Sequence, residues 1–212
     1  MTENNKVKLQ QVLPKDIEKR SFELISEEMG LVDLDPLEAP VIKRAIHTSA
    51  DFEYLENLVF SPDAVKKGME IIKNGATIIT DTKMAYSGIN KKTAEKFGCK
   101  VCCFMADDDV RETAVKNGTT RAVASMEKAA QLDGPLIFVI GNAPTALVTL
   151  YELIKSGKLA PELIIGVPVG FVNVVESKEL ILQLDTPHII AKGRKGGSNI
   201  AAAIFNGILY QC

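Results

Sequence analysis

Leu136-Ile137-Phe138-Val139-Ile140-Gly141-Asn142-Ala143-Pro144-Thr145-Ala146-Leu147 is the stretch that decides the fold. Five apolar residues in a row, with no polar alternation, read as a strand buried on both faces. Gly141 ends the run, and Pro144 suits the first position of a helix. A strand, a glycine turn and an immediate helix form the repeating unit of a parallel sheet covered by helices. The same unit recurs outward from this point. Short apolar runs at 76–80, 100–105, 163–167 and 188–191 read as further strands, and 120–132, 144–156, 176–184 and 198–209 read as helices. The expected fold class is α/β: a mostly parallel doubly wound sheet with helices on both faces and an N-terminal helical addition. That addition begins with a helix over 15–29 stopped by Gly30. A second opens at Asp35-Pro36-Leu37-Glu38, with Asp35 as cap and Pro36 in the first turn. A third opens at Ser61-Pro62-Asp63 and stops at Asn74-Gly75.

A length of 212 residues suits one domain over 1–212, with 1–14 as a flexible N-terminal segment. The 25 basic and 27 acidic residues give a net charge of -2, which speaks against nucleic-acid binding. No apolar run reaches the ~18 residues of a membrane span. Met1 to Lys8 carries no apolar block of a secretory signal, so a soluble cytoplasmic protein is expected. Cys99, Cys102, Cys103 and Cys212 read as reduced thiols used as small apolar residues. Cys99-x-x-Cys102 has a zinc-like spacing but no second ligand pair, so no metal site is expected.

In such folds ligands bind beyond the C-terminal ends of the strands. This selects the loops at 81–90, 106–121, 141–145, 168–176 and 192–198. The N–H groups of Gly141 to Thr145 suit an anion, and they equally suit a tight turn. Neither Gly-x-Gly-x-x-Gly nor a Walker motif is present. Lys192-Gly193-Arg194-Lys195-Gly196-Gly197-Ser198 combines three cations with three glycines. It reads as an anion-gripping loop, with Ser198 as helix cap and Arg194 suited to bidentate contact. Gly166-Val167-Pro168-Val169-Gly170-Phe171-Val172 reads as a pocket wall or as buried loop packing. Asp107-Asp108-Asp109 reads as the acidic start of a helix rather than a divalent cation site. His47 shares a helix face with Lys43 and Arg44, either as a solvated basic face or as a general acid. His188 beside Pro187 reads as structural.

These segments together resemble the precorrin-8X methylmutases, also called cobalt-precorrin-8 methylmutases, over roughly residues 15–210. The resemblance is carried by Arg20-Ser21-Phe22, Ile46-His47, Val59-Phe60-Ser61-Pro62-Asp63, Asp81 with Met84 and Gly88, and Thr120-Arg121. It continues in Gly141-Asn142-Ala143-Pro144-Thr145-Ala146-Leu147, in Gly166 to Val172 with Glu176-Ser177-Lys178, and in Gly193 to Ser198. It implies an isomerase of cobalamin biosynthesis that moves a methyl group from C-11 to C-12 of a tetrapyrrole, giving cobyrinate or hydrogenobyrinate without a cofactor. It implies His47 as general acid and Ser21 and Arg121 around the substrate; Arg20, Asn90 and Arg194 are further candidates for substrate contact. It further implies a homodimer, with no nucleic-acid or membrane partner. At Asn90 the family often has a hydroxyl residue, so a proton relay there is in doubt. The competing readings are a non-catalytic corrinoid carrier and a nucleotide-dependent enzyme using the Gly141 loop. Whether the ring already holds cobalt is not written in the sequence.

Overall fold

The computed structural model describes residues 9–212. The chain divides into two compact units, one ending at Asp33 and the other spanning Leu34–Cys212. The flexible stretch expected at 1–14 falls largely on residues 1–8, which lie outside the described residues. In the first unit a 3-10 turn at Pro14–Asp16 leads into α1 (Ile17–Met29), which Gly30 ends in a left-handed conformation.

The second unit contains α2 (Glu38–Ser49), α3 (Tyr54–Asn57), β1 (Leu58–Phe60), α4 (Ala64–Lys73), β2 (Thr77–Thr80), α5 (Lys83–Gly88), α6 (Lys91–Lys96) and β3 (Lys100–Cys102). It continues through α7 (Asp108–Asn117), α8 (Arg121–Ala129), β4 (Leu136–Ile140), α9 (Pro144–Lys155), β5 (Leu163–Gly166), α10 (Val174–Leu182), β6 (His188–Ala191) and α11 (Ser198–Leu209). The strands form one sheet in the order β1-β6-β5-β4-β2-β3. All pairs are parallel except β1 with β6.

Strand side chains alternate between faces. Leu136, Phe138 and Ile140 of β4 pack with Met126 of α8, Leu147 and Leu150 of α9 and Ile181 of α10 in one buried cluster. On the opposite face lie α2, α4, α5 and α11. The helix α11 is buried almost throughout, from Ile200 to Leu209, because the sheet lies on one side of it and α2 on another. The doubly wound α/β architecture is thus as expected from the sequence, and no helix among the described residues is long and apolar enough to cross a membrane.

Three helix starts differ from expectation. The Asp35 carboxylate accepts from the N–H groups of Leu37 and Glu38, but Pro36 and Leu37 form only a turn and the helix begins at Glu38. Asp63 takes a left-handed conformation (φ 59°) and caps nothing, while Ser61 Oγ accepts from the His188 N–H at 2.9 Å. Ser198 is the first helical residue rather than the cap, and its hydroxyl meets Thr82 Oγ1 at 2.7 Å. The loop expected at 81–90 contains α5, the segment 106–121 contains α7 behind the acidic start expected at Asp107 to Asp109, and β1 has no counterpart among the expected strands.

Candidate active site

Strand order fixes where the site lies. From β2 the chain crosses to β3 on one side and then returns to β4 on the other, so the connections part between β2 and β4. Doubly wound sheets open a crevice at such a point, beyond the strand C-termini. Asp81 follows β2 there and Gly141 follows β4.

Asp81 is fully buried. Its Oδ1 accepts from the Gly141 N–H at 2.9 Å, and its Oδ2 accepts from Asn142 and Ala143, each at 2.7 Å. Burial pushes this carboxyl up from the usual range, and the three N–H donors oppose the push. The next helix begins with Ala143, which has no capping side chain, and Pro144, which has no N–H. Asp81 therefore caps α9 from another segment of the chain. Of the two readings of the Gly141 to Thr145 donors, anion site or tight turn, the geometry favours the turn, because an internal carboxylate already holds the first three N–H groups. A side chain at Gly141 would run into the Ser198 backbone, so the loops after β2, β4 and β6 are in contact.

The loop after β6 is clamped from beneath. Lys178 of α10 is 1% exposed, and its ammonium donates to the carbonyls of Gly193 at 2.7 Å and Lys195 at 2.9 Å. Gly197 N–H donates to Val167 O at 2.8 Å, and Gly170 N–H to Arg194 O at 3.2 Å, which joins this loop to the one after β5. Gly196 (φ 155°) lies so close to the Val167 carbonyl that no Cβ fits. Desolvation holds the Lys178 ammonium down to about 8. Sequence reading missed Lys178 as a site residue; a lysine inside an amphipathic pattern normally marks a solvated face, and only its place in Glu176-Ser177-Lys178 hinted otherwise.

The apolar run after β5 divides in two. Val167 is buried, whereas Val169, Phe171 and Val172 are exposed, Phe171 by 81%. The Arg194 guanidinium lies over the Phe171 ring, 5.4 Å from its centre. Lys195 turns the other way, to Asp51 Oδ2 at 2.6 Å and Glu53 Oε1 at 2.9 Å. This pair holds the Asp51 carboxyl below the usual range.

That ion pair places His47. Helices α2 and α11 run antiparallel: the Gln211 amide donates to Leu37 O, and Val41 backs onto Gly207. The last turn of α2, with exposed His47, therefore points toward the start of α11. Four residues on, Asp51 is tied to the 192–198 loop. Arg121 opens α8 and is exposed; Thr120 caps that helix and meets Thr145 Oγ1 at 3.2 Å, which puts Arg121 beside the 141–145 loop. His47, Arg121 and Arg194 thus share the strand C-terminal edge.

Asn90 lies at the other end of α11. Asn90 caps α6 through its Oδ1, and its Nδ2 donates to Tyr210 Oη at 3.0 Å. Tyr210 follows the far end of α11, about 18 Å from Ser198 at the helical rise. Arg44 stacks on the same Tyr210 ring at 4.6 Å. Arg20 and Ser21 belong to α1: Arg20 pairs with Glu23 and Glu27, and Ser21 Oγ donates to Ile17 O. His188 is structural, with Nδ1 2.8 Å from Thr186 O. Asp107 and Asp109 are ion-paired to Lys128 around the start of α7. A half-open cavity of about 450 Å³ lined by Phe60, Ser61, Leu184 and His188 lies at the opposite edge of the sheet.

The family model described as precorrin-8X methylmutase (CbiC) matches residues 16–211. A cobalt-precorrin-8 methylmutase of Priestia megaterium is 45% identical, over 93% of this chain and 88% of the relative. One from Leptospira interrogans is 42% identical, over 93% of each. The crystal structure of a Thermus thermophilus precorrin-8x methyl mutase superposes with a TM-score of 0.84 at 39% identity, covering 92% of this chain and 95% of that one.

Two outcomes follow from the buried charges. Asp81→Asn replaces one acceptor oxygen by an amide that opposes an N–H donor, so it lowers the unfolding free energy by about 2–3 kcal/mol in urea titrations. Lys178 releases its proton near 8 when folded against 10.5 ordinarily. Between those values the unfolded chain binds more protons, so this group makes stability rise with pH. Comparing urea midpoints at about pH 7 and about pH 10, that contribution is present in the native chain and absent from Lys178→Met.

Proposed function

The chain belongs to the precorrin-8X methylmutase family of cobalamin-pathway isomerases, and from that premise we propose that it moves a methyl group from C-11 to C-12 of precorrin-8 with His47 as general acid. Substrate and product are isomers, so atoms and electrons balance without oxidant or reductant. The migration is a suprafacial 1,5-shift within the conjugated ring. A proton donated by the His47 imidazolium to a ring nitrogen polarises the π system and lowers the barrier to migration. The proton returns when the product leaves.

The observation that carries this reading is the Lys195–Asp51 ion pair at 2.6 Å, which ties the helix end bearing His47 to the loop bearing Arg194. A flat polycarboxylate ring needs an apolar face and cations at its periphery. Val169, Phe171 and Val172 offer the first at the edge where Arg194 and Arg121 offer the second. With the Gly141 donors held by Asp81, the acetate and propionate arms rely on these side chains rather than on that backbone. The family resemblance adds Arg20 and Ser21 as proposed substrate contacts; Asn90, with both amide ends engaged, helps by fixing α6 against α11. The cobalt-precorrin names of the two relatives favour the cobalt-containing ring as substrate. The working form is a homodimer, and sedimentation equilibrium should return twice the 23.0 kDa chain mass.

His47→Ala should lower turnover by about 10²–10⁴-fold while the corrinoid product still binds within about threefold of the native affinity. Retained turnover would remove His47 as the acid, and binding without any turnover in the native chain would make the protein a carrier. Arg121→Ala and Arg194→Ala should each raise KM about tenfold with kcat little changed.

A further inference from the structure

We propose that Lys178 is a positioning residue for substrate binding: its buried ammonium holds the 193–195 backbone in the conformation that presents Arg194 to a carboxylate arm of the ring. The inference rests on the proposed role of Arg194 and goes beyond it, since Lys178 lies beneath the loop and does not itself face the substrate.

The argument is geometric. Arg194 lies between two carbonyls, those of Gly193 and Lys195, and Lys178 Nζ donates to both, at 2.7 and 2.9 Å. The Arg194 carbonyl between them receives the Gly170 N–H. Three consecutive carbonyls are thus each engaged, and the Arg194 backbone is clamped on both sides. The loop needs such a clamp. Gly193, Gly196 and Gly197 all have positive φ, and glycine backbones carry more conformational freedom than any others. Without the ammonium, two carbonyls lose their donor and the glycines regain that freedom. Arg194 would then sample many positions instead of lying over Phe171. A side chain serving only to fill the core would not need a charge: a methionine has nearly the same length and no desolvation cost. The ammonium is suited to gathering several carbonyls at one point, because it carries three donors and no acceptor.

The test is a double-mutant cycle on the full-length protein, read by KM and kcat for precorrin-8 and by binding of the corrinoid product. Lys178→Met should raise KM about tenfold and leave kcat within about threefold, and in an Arg194→Ala background the same substitution should change KM less than about twofold. Lys178→Gln, which retains two N–H donors, should recover part of the lost affinity. Equal effects of Lys178→Met in both backgrounds, or a loss confined to kcat, would overturn the positioning role. Should neither Lys178 variant give a cooperative melt, the residue holds the fold itself and the proposal fails. The underlying reading fails separately: if Arg194→Ala alone leaves KM unchanged, Arg194 does not hold the substrate, whereas a raised KM in that variant with none in Lys178→Met refutes only the present inference.

Discussion

A carboxylate with no exposure, set beyond the ends of the neighbouring strands β2 and β4, is the constraint on which the rest of this structure depends. Asp81 gathers three N–H groups at the point where the connections of the sheet diverge. Those groups have no helical partner of their own, and the residues that follow supply no cap. Left open, they would form an anion site. Closed by Asp81, they become a fixed floor, and Gly141 can press against the start of α11 only because it has no side chain. Gly141, Asn142 and Ala143 thereby offer no open backbone donors to an anion. Recognition of an acidic ligand shifts to side chains on the neighbouring loops.

The next loop repeats the device with opposite charge. Where Asp81 collects donors after β4, Lys178 collects acceptors after β6. Each buries a charge, which is costly unless hydrogen bonds satisfy it. Each lies under a glycine-bearing turn at the same edge of the sheet. The two ties leave the backbones of the 141–143 and 193–195 segments with few alternatives. Preorganisation of this kind reduces the ordering cost of binding.

How much of this was legible in the sequence depends on the range of the interaction. The apolar runs of β4 and β6 and the helix α11 appear at the bounds expected, because burial on both faces leaves an unbroken hydrophobic signal. β1 gave no such signal: three residues at the sheet margin, antiparallel and without a hairpin turn, look like loop. α5 lies inside an expected loop because it is only six residues long, and α7 shows in the sequence only by its acidic start because it is mostly polar. The helix starts at Ser61 and Ser198 differ from expectation for a common reason. A residue that caps by type can bond elsewhere, and Ser61 and Ser198 found partners more than a hundred residues away. The same holds at the site. Arg121 and Arg194 could be picked from their loops, but the partners of Asp81 and Lys178 are 60 and about 15 residues distant and become visible only once the sheet has closed.

Charge placement explains how a protein of net charge -2 can serve an acidic ring. Charges farther apart than about 8 Å are largely screened at physiological ionic strength, so the total matters less than what stands at contact. Of the cations at this edge, Lys178 faces carbonyls and Lys195 faces Asp51 and Glu53. Neither adds much to the field seen by an approaching anion. Arg194 differs: it rests on an aromatic ring that leaves its donor edges available. A guanidinium on Phe171 presents a flat apolar surface and a bidentate donor side by side, which is the pairing that a planar macrocycle with carboxylate arms requires. The loop thus uses its three kinds of residue for different ends, with glycines admitting close backbone contact, Lys195 fixing the frame and one arginine turned outward.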